Sequence, residues 1–300
     1  MANLYTNVDS NVRKTWVYIT GFLLFVIGVG WFISYLLDTA FILWAAVFLS
    51  IAMSITSYWY SDRIVLSITR AKPIEKRDNP ELYRIVENLS ITAGLPMPRV
   101  CVIDDLHPNA FATGRDPQHG VVVVTTGLLQ KLERVELEGV IAHELAHIGN
   151  RDILLSTIVV VLVGVIVLLV DFFVRVAFWG GMGNKSEQGW FRIVLMIVAL
   201  AMMLLAPLLA QAMKFAISRK REFLADATGA LLTRYPEGLA MALQKISQDP
   251  NQMRTASDAT AHLFFASPFR NKEKRSWLHK LFMTHPPVEE RILALRGLQI

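Results

Sequence analysis

The stretch from Trp16 to Leu37 holds 22 residues and no charged side chain. As a helix rising 1.5 Å per residue it reaches about 33 Å, against a bilayer hydrocarbon core of about 30 Å. Three further windows share this character. Thr39 to Tyr60 follows after a turn at Asp38, and Ile153 to Trp179 is interrupted only late, by Asp171 and Arg175. Ile193 to Ile217 carries Pro207 inside it and Lys214 near its end. The proline predicts a kink that neighbouring helices or water can accommodate. A secretory signal has an apolar run of only about 7–15 residues, so the first window reads as a retained span. The chain is 18% charged, where soluble domains carry about 25%, and the deficit is local to these windows. The reading is a mainly α membrane protein with four transmembrane helices. Trp16, Trp31, Trp59, Tyr60, Trp179 and Trp190 flank the spans, at the headgroup level that Trp and Tyr favour.

The net charge of +5 sits largely beside the same windows. Arg13 and Lys14 precede the first. Arg63, Arg70, Lys72, Lys76 and Arg77 follow the second, and the turn between has none. Lys185 lies between the third and fourth, and Arg219, Lys220 and Arg221 follow the fourth. This bias puts the N-terminus and both soluble stretches on the cytoplasmic side. The expected organisation is a cytoplasmic N-terminus (1–15), a membrane hairpin (16–60), one part of a cytoplasmic domain (61–152), a second hairpin (153–217) and the rest of that domain (218–300). With the basic residues serving topology, and with no Gly-rich phosphate loop or basic-aromatic tract, nucleic acid is not an expected partner. The lipid bilayer is. A lone Cys101 excludes an internal disulfide and suits a reducing compartment.

The soluble stretches read as α+β. Asn79 to Leu95 has Pro80 at a helix start, apolar Leu82, Ile85, Val86 and Leu89 on one face, and Gly94 at its end. Arg99 to Asp104 and the β-branched run Gly120 to Leu129 predict two strands, with "NAFATG" (109–114) leading into a turn. Glu133 to Asn150 has helical spacing, as does "EGLAMALQKIS" after Pro236. Residues 249 to 281 read as loop, and His285 to Leu298 as a last helix opened by prolines.

One helix carries chemistry. His143-Glu144-Leu145-Ala146-His147 places two imidazoles four residues apart, one turn above each other on one face. Such a pair can hold one Zn²⁺ per chain, with Glu144 placed to reach a metal-associated water as general base. A catalytic zinc takes three protein ligands. A third histidine six residues beyond His147 would be position 153, which is Ile. The hairpin of spans three and four returns the chain to the same membrane face, where it re-emerges as "SRKREFLAD". On a helix Glu222 and Asp226 share one face. Glu222 could complete a His₂Glu site or pair with Arg219, and Asp226 could accept a hydrogen bond from a ligand imidazole. His107, His119, His262 and His279 have no partner pattern and read as surface or structural.

"NAFATG", "AHELAHIGNRD", "SRKREFLADATGA" and "THPP", in this order along the chain and with two pairs of spans, resemble the HtpX family of membrane-bound zinc metallopeptidases, related to the CAAX prenyl protease. The resemblance implies a zincin-like (gluzincin-type) peptidase domain with a small sheet, on the cytoplasmic side of a bacterial inner membrane. It also implies substrates that are damaged or misassembled membrane proteins or unfolded polypeptides. It places His285 in the active site as an oxyanion partner; a histidine opening a helix is the plain alternative. Asn109 and the strand after Gly120, with Val121 and Val123, border the substrate cleft in this reading or are simple core. The rivals are a prenyl-protein endopeptidase, for which four spans offer no large chamber, and a non-cutting quality-control adaptor, against which Glu144 stands. Intramembrane proteolysis fits poorly, because Glu133, Arg134, Glu136 and Glu138 place the motif helix in water.

Overall fold

The computed structural model describes residues 4–36, 38–179, 193, 196–198, 200, 219–256, 260–266 and 286–298. Two long helices come first, α1 (Leu4–Leu36) and α2 (Ala40–Thr69). Two helices among the described residues are long and apolar enough to cross a membrane, Asp9–Tyr35 and Ala40–Thr69. Counting the pair Arg134–Gly149 and Asp152–Ile166, bent by 82°, as one span would make a third. Most of the fourth apolar window, and His279 and His285, lie outside the described residues. Both long helices overrun the apolar windows. α1 starts well before Trp16, and α2 continues past Tyr60 to Arg70, whose left-handed backbone (φ 57°) ends it.

The soluble part is built on a four-stranded sheet. Its strands are β1 (Lys72–Pro73), β2 (Arg99–Ile103), β3 (Ala110–Thr113) and β4 (Val121–Thr125), in spatial order β1-β2-β4-β3. β4 pairs with β2 in parallel and with β3 antiparallel. "NAFATG" therefore supplies an edge strand, and the turn it was expected to lead into follows it, with a 3₁₀ turn at Pro117–His119. The second predicted strand stops early. Thr125 caps a short helix, α4 (Thr126–Lys131), with its hydroxyl accepting from the Leu128 amide.

The β4 valines split the core by the two-residue period of a strand. Val122 and Val124 face α3 (Pro80–Ala93) and α5 (Arg134–Gly149). Val121 and Val123 face the other way, toward Val65 at the end of α2 and Val160 of α6 (Asp152–Trp179). α6 joins three cores: Ile153 packs with the α5 core, Leu154 and Ile158 with α1, and Val160 with the sheet. Residues 153 to 162, read from sequence as the start of a span, are buried except for the half-buried Ser156. Protein surrounds them at this end.

Three helices close the fold: α7 (Arg219–Thr233), α8 (Pro236–Ser247) and α9 (Val288–Arg296). α5 runs through the middle, against α3 and the sheet on one side and α7 and α8 on the other. It is buried almost all round, from Glu136 to Ile148, so its sequence shows little amphipathic contrast. Where α7 crosses it, the position of a Cβ on Gly229 would lie 2.9 Å from the His143 amide nitrogen. Only glycine permits that approach.

Candidate active site

α5 and α7 bring His143, His147 and Glu222 together. One ligand atom from each, Nε2 or carboxylate oxygen, lies within 4.8 Å of the others. The two Nε2 atoms are 3.1 Å apart. Glu222 oxygens approach them at 3.6 Å (His147) and 3.9 Å (His143). The opposite ring nitrogens are taken. His143 Nδ1 lies 2.9 Å from Asp226 Oδ1, and His147 Nδ1 lies 3.1 Å from Asp152 Oδ2. Each carboxylate holds its imidazole in the tautomer that turns the Nε2 lone pair toward the shared point.

The charges fit a cation there. Burial pushes His143 down to about 4, against the opposing pull of Asp226. Burial would lower His147 as well, but Asp152, Glu222 and Glu144 outweigh it and hold it at about 9. Two facing lone pairs need one positive charge between them. With Glu222 closing from a third side, a divalent metal satisfies the set better than a single proton. Buried carboxylates and imidazoles of this density are costly to fold unless paired.

Glu144 lies beside the triad on α5. Burial pushes its carboxyl up to about 7, helped by Glu222 and opposed by His147, Arg291 and a hydrogen bond from the Ala112 backbone. The groups surround a cavity of about 40 Å³, room for an ion and a water. Its walls include Ala112, Ser156, Leu263, Phe264 and Phe265. The His143 and Phe265 rings meet edge to face at 5.0 Å.

The cleft residues expected from sequence fall elsewhere. Val121 and Val123 belong to the central strand β4, hydrogen-bonded on both sides and 0% exposed, so no peptide can pair with them as an edge. The edge strand at the cavity is β3, through Ala112. Asn109 is also buried and does not line the cavity. Its side-chain amide exchanges two hydrogen bonds with the Ala266 backbone at 2.8 and 3.1 Å. Together with the Phe265 amide, which donates to the Ala110 carbonyl at 2.8 Å, this holds the Phe264–Phe265 wall against β3. His107 is buried and structural, and His119 pairs with Asp116 on the surface. Arg219 lies one turn before Glu222 on α7, but it is Arg291 that approaches Glu222, at 3.7 Å.

Three contributors were not read from the sequence. Arg291, 1% exposed, grips Asp226 with two hydrogen bonds of 2.7 and 2.8 Å and donates to the Phe265 carbonyl. Burial alone would raise Asp226, but Arg291 outweighs it and holds the carboxyl below its usual range. A signal existed: Arg291 shares a helix face with Leu295 and Val288, so an arginine stands on an apolar stripe. Gly229 had one too, two turns beyond Glu222 on the same face. Asp152 had none, since it reaches His147 only through the sharp corner at Arg151 (φ 55°).

A family model for peptidase family M48 matches residues 76–299. The chain belongs to peptidase family M48. Within the family it is 45% identical to the protease HtpX homolog of Thermoanaerobacter pseudethanolicus, over 98% of both chains. It is 42% identical to the homolog of Listeria monocytogenes (strain CLIP80459), over 98% of this chain and 100% of that one. Among solved structures it is similar to S. mikatae Ste24p, with a TM-score of 0.49 and 21% identity, over 97% of this chain and 66% of that longer one. The resemblance to HtpX proteases read from the motifs thus holds along the whole chain, and the protein is a membrane metallopeptidase.

Proposed function

We propose that the protein is a zinc-dependent endopeptidase that cuts damaged or misfolded membrane proteins at the cytoplasmic face of a bacterial inner membrane. In this reading it spans the membrane four times, with its N-terminus and both soluble stretches in the cytoplasm. One observation carries the chemistry: three lone-pair donors, His143 Nε2, His147 Nε2 and a Glu222 oxygen, converge beside the buried carboxyl of Glu144. The metal, when bound, supplies Lewis acidity to the attacking water and the scissile carbonyl.

The chain's own residues do the rest. Asp226 and Asp152 hold the two imidazoles in orientation, and Arg291 holds Asp226. Glu144 takes a proton from the attacking water and returns it to the leaving amine. A carboxyl already raised to about 7 is suited to carry that proton in both directions. Phe264 and Phe265 give the cavity one apolar wall. His285 is assigned as oxyanion partner from its "THPP" motif alone. The basic residues flanking the spans support the orientation, and the name of the relatives supports proteolysis.

The test is cleavage of casein and of a model membrane protein by the full chain in detergent, with and without a chelator. Cleavage should stop with chelator and return with Zn²⁺. Glu144→Gln should bind one zinc and cut nothing. A cutting Glu144→Gln variant would sink the assignment of the base. A chain that binds but never cuts would favour an adaptor.

A further inference from the structure

Behind the triad, Asn150 at the end of α5, Asp152 at the start of α6 and Arg221 of α7 meet α1, which the family model does not cover. Asn11 of α1 is buried, 3% exposed, at this junction. Its Nδ2 donates to Asp152 Oδ1 at 2.7 Å and to the Asn150 carbonyl at 3.1 Å. Its Oδ1 accepts from the Arg221 guanidinium at 3.2 Å, and Arg221 also donates to Asp152 Oδ1 at 3.3 Å. The other Asp152 oxygen is the one facing His147 Nδ1. Arg221 immediately precedes Glu222. One amide therefore touches the group that orients the second histidine and the residue next to the carboxylate ligand.

The chemistry asks for an amide at this place. Two donors must point at Asp152 and the Asn150 carbonyl while an acceptor points at Arg221. Only Asn and Gln offer two donors together with an acceptor: a hydroxyl or a neutral imidazole has a single donor, an ionised carboxylate has none, and an ammonium has no acceptor. Elsewhere α1 meets α6 through apolar side chains, Ile19, Phe22 and Val26 against Leu154 and Ile158. Apolar burial holds a helix in place without fixing its rotation closely. Hydrogen bonds fix direction.

We propose that Asn11 is a positioning residue for the metal centre. From the first apolar helix it sets Asp152 and Arg221, and through them the orientation of His147 and the placement of Glu222. The metal site is thus completed by a membrane helix that lies outside the peptidase sequence. This rests on reading His143, His147 and Glu222 as the metal ligands.

The experiment measures Zn²⁺ affinity of the full chain in detergent by competition with a chromophoric chelator. The Co²⁺ absorption spectrum and the metal-free helix content and Tm are recorded alongside. Asn11→Ala should weaken zinc about 10–100-fold, the range for partners that orient a ligand, and shift the Co²⁺ bands. Asn11→Gln, which keeps both donor and acceptor, should recover part of the loss. Ile19→Ala loosens the same helix elsewhere and should leave zinc affinity within about twofold. If Asn11→Ala does not fold, Asn11→Asp, the same shape without the donor, should show at least a tenfold loss. Wild-type zinc affinity in Asn11→Ala or Asn11→Asp would overturn the proposal. Equal losses in Asn11→Ala and Ile19→Ala would overturn it as well. Glu222→Ala separates the two readings. If it binds zinc as the wild type does, the ligand assignment itself is wrong. If it loses zinc while the Asn11 variants do not, only the role of Asn11 fails.

Discussion

Arg291 and Arg296 lie five residues apart on α9, and each grips a carboxylate with two guanidinium nitrogens. Arg291 holds Asp226 at 2.7 and 2.8 Å, and Arg296 holds Glu237 at 2.7 and 3.1 Å. The geometry is nearly the same and the surroundings are opposite. Both partners of the first pair are buried; the Arg296 side chain is 49% exposed. Water and salt screen the outer pair, so it contributes little. The inner pair has no solvent to fall back on. Removing one partner strands a charge beside the His143 ring and disturbs the site it supports. Similar contacts therefore serve different ends: one decorates a surface and the other holds the carboxylate that orients His143.

Several variants would sharpen or break this contrast. The largest effect belongs to Glu144→Gln, which removes a buried charge without changing shape. Cleavage should fall about 10²–10⁴-fold, the usual worth of a general base, while the Tm of the metal-free protein stays level or rises. A large drop in Tm would mean that the charge is structural. Arg291→Met should destabilise by about 3–5 kcal/mol, because it leaves Asp226 uncompensated. Denaturant melts of the double variant Arg291→Met, Asp226→Asn should show a smaller loss than Arg291→Met alone, and simple additivity would count against the stranded charge as the cause.

Gly229→Ala tests the same buried centre through packing. The new methyl would meet the His143 backbone at 2.9 Å, and overpacking of this kind costs about 1–3 kcal/mol. Weaker zinc binding should accompany it, measurable by chelator competition; unchanged affinity would show that α7 can shift without moving Glu222. Asp249 lies between the two extremes. Burial opposes its ionisation, but Lys131 and the Asn251 amide outweigh that and hold its carboxyl below the usual range. A depressed folded pKa gives stability that is present above the unfolded value of about 3.9 and is lost as pH falls through the folded one. Asp249→Asn should therefore lower stability at neutral pH, leave the acid end nearly unchanged, and so flatten the profile between them in pH melts. The smallest effect is expected of Arg296→Ala, with no measurable change in Tm at physiological salt. A clear drop there would break the comparison.

The line between what was legible and what was not follows the range of the forces. Local spacing identified His143, Glu144 and His147, because four residues make one helical turn in any surroundings. The Asn79 cap, Pro80 and Gly94 marked α3 for the same reason. Glu222 needed a longer inference, because about 75 residues separate it from the histidines it meets in the structure. The strands were harder. A run of β-branched residues shows that Val121 to Val124 are extended, but strand order shows whether they form an edge or a centre. The order β2-β4-β3 buried them and gave the cavity-side edge to "NAFATG".

The sequence by itself determined the membrane character and the HExxH helix, since these depend on composition and on periods of a few residues. Only the tertiary structure decided which groups stand behind the two histidines. Asp152 meets His147 around a backbone corner, Arg291 reaches Asp226 from 65 positions away, and Asn11 reaches Arg221 from 210. Hydrogen bonds act over about 3 Å. Which polar groups come that close is set by how whole helices pack, and no local pattern in the chain records it.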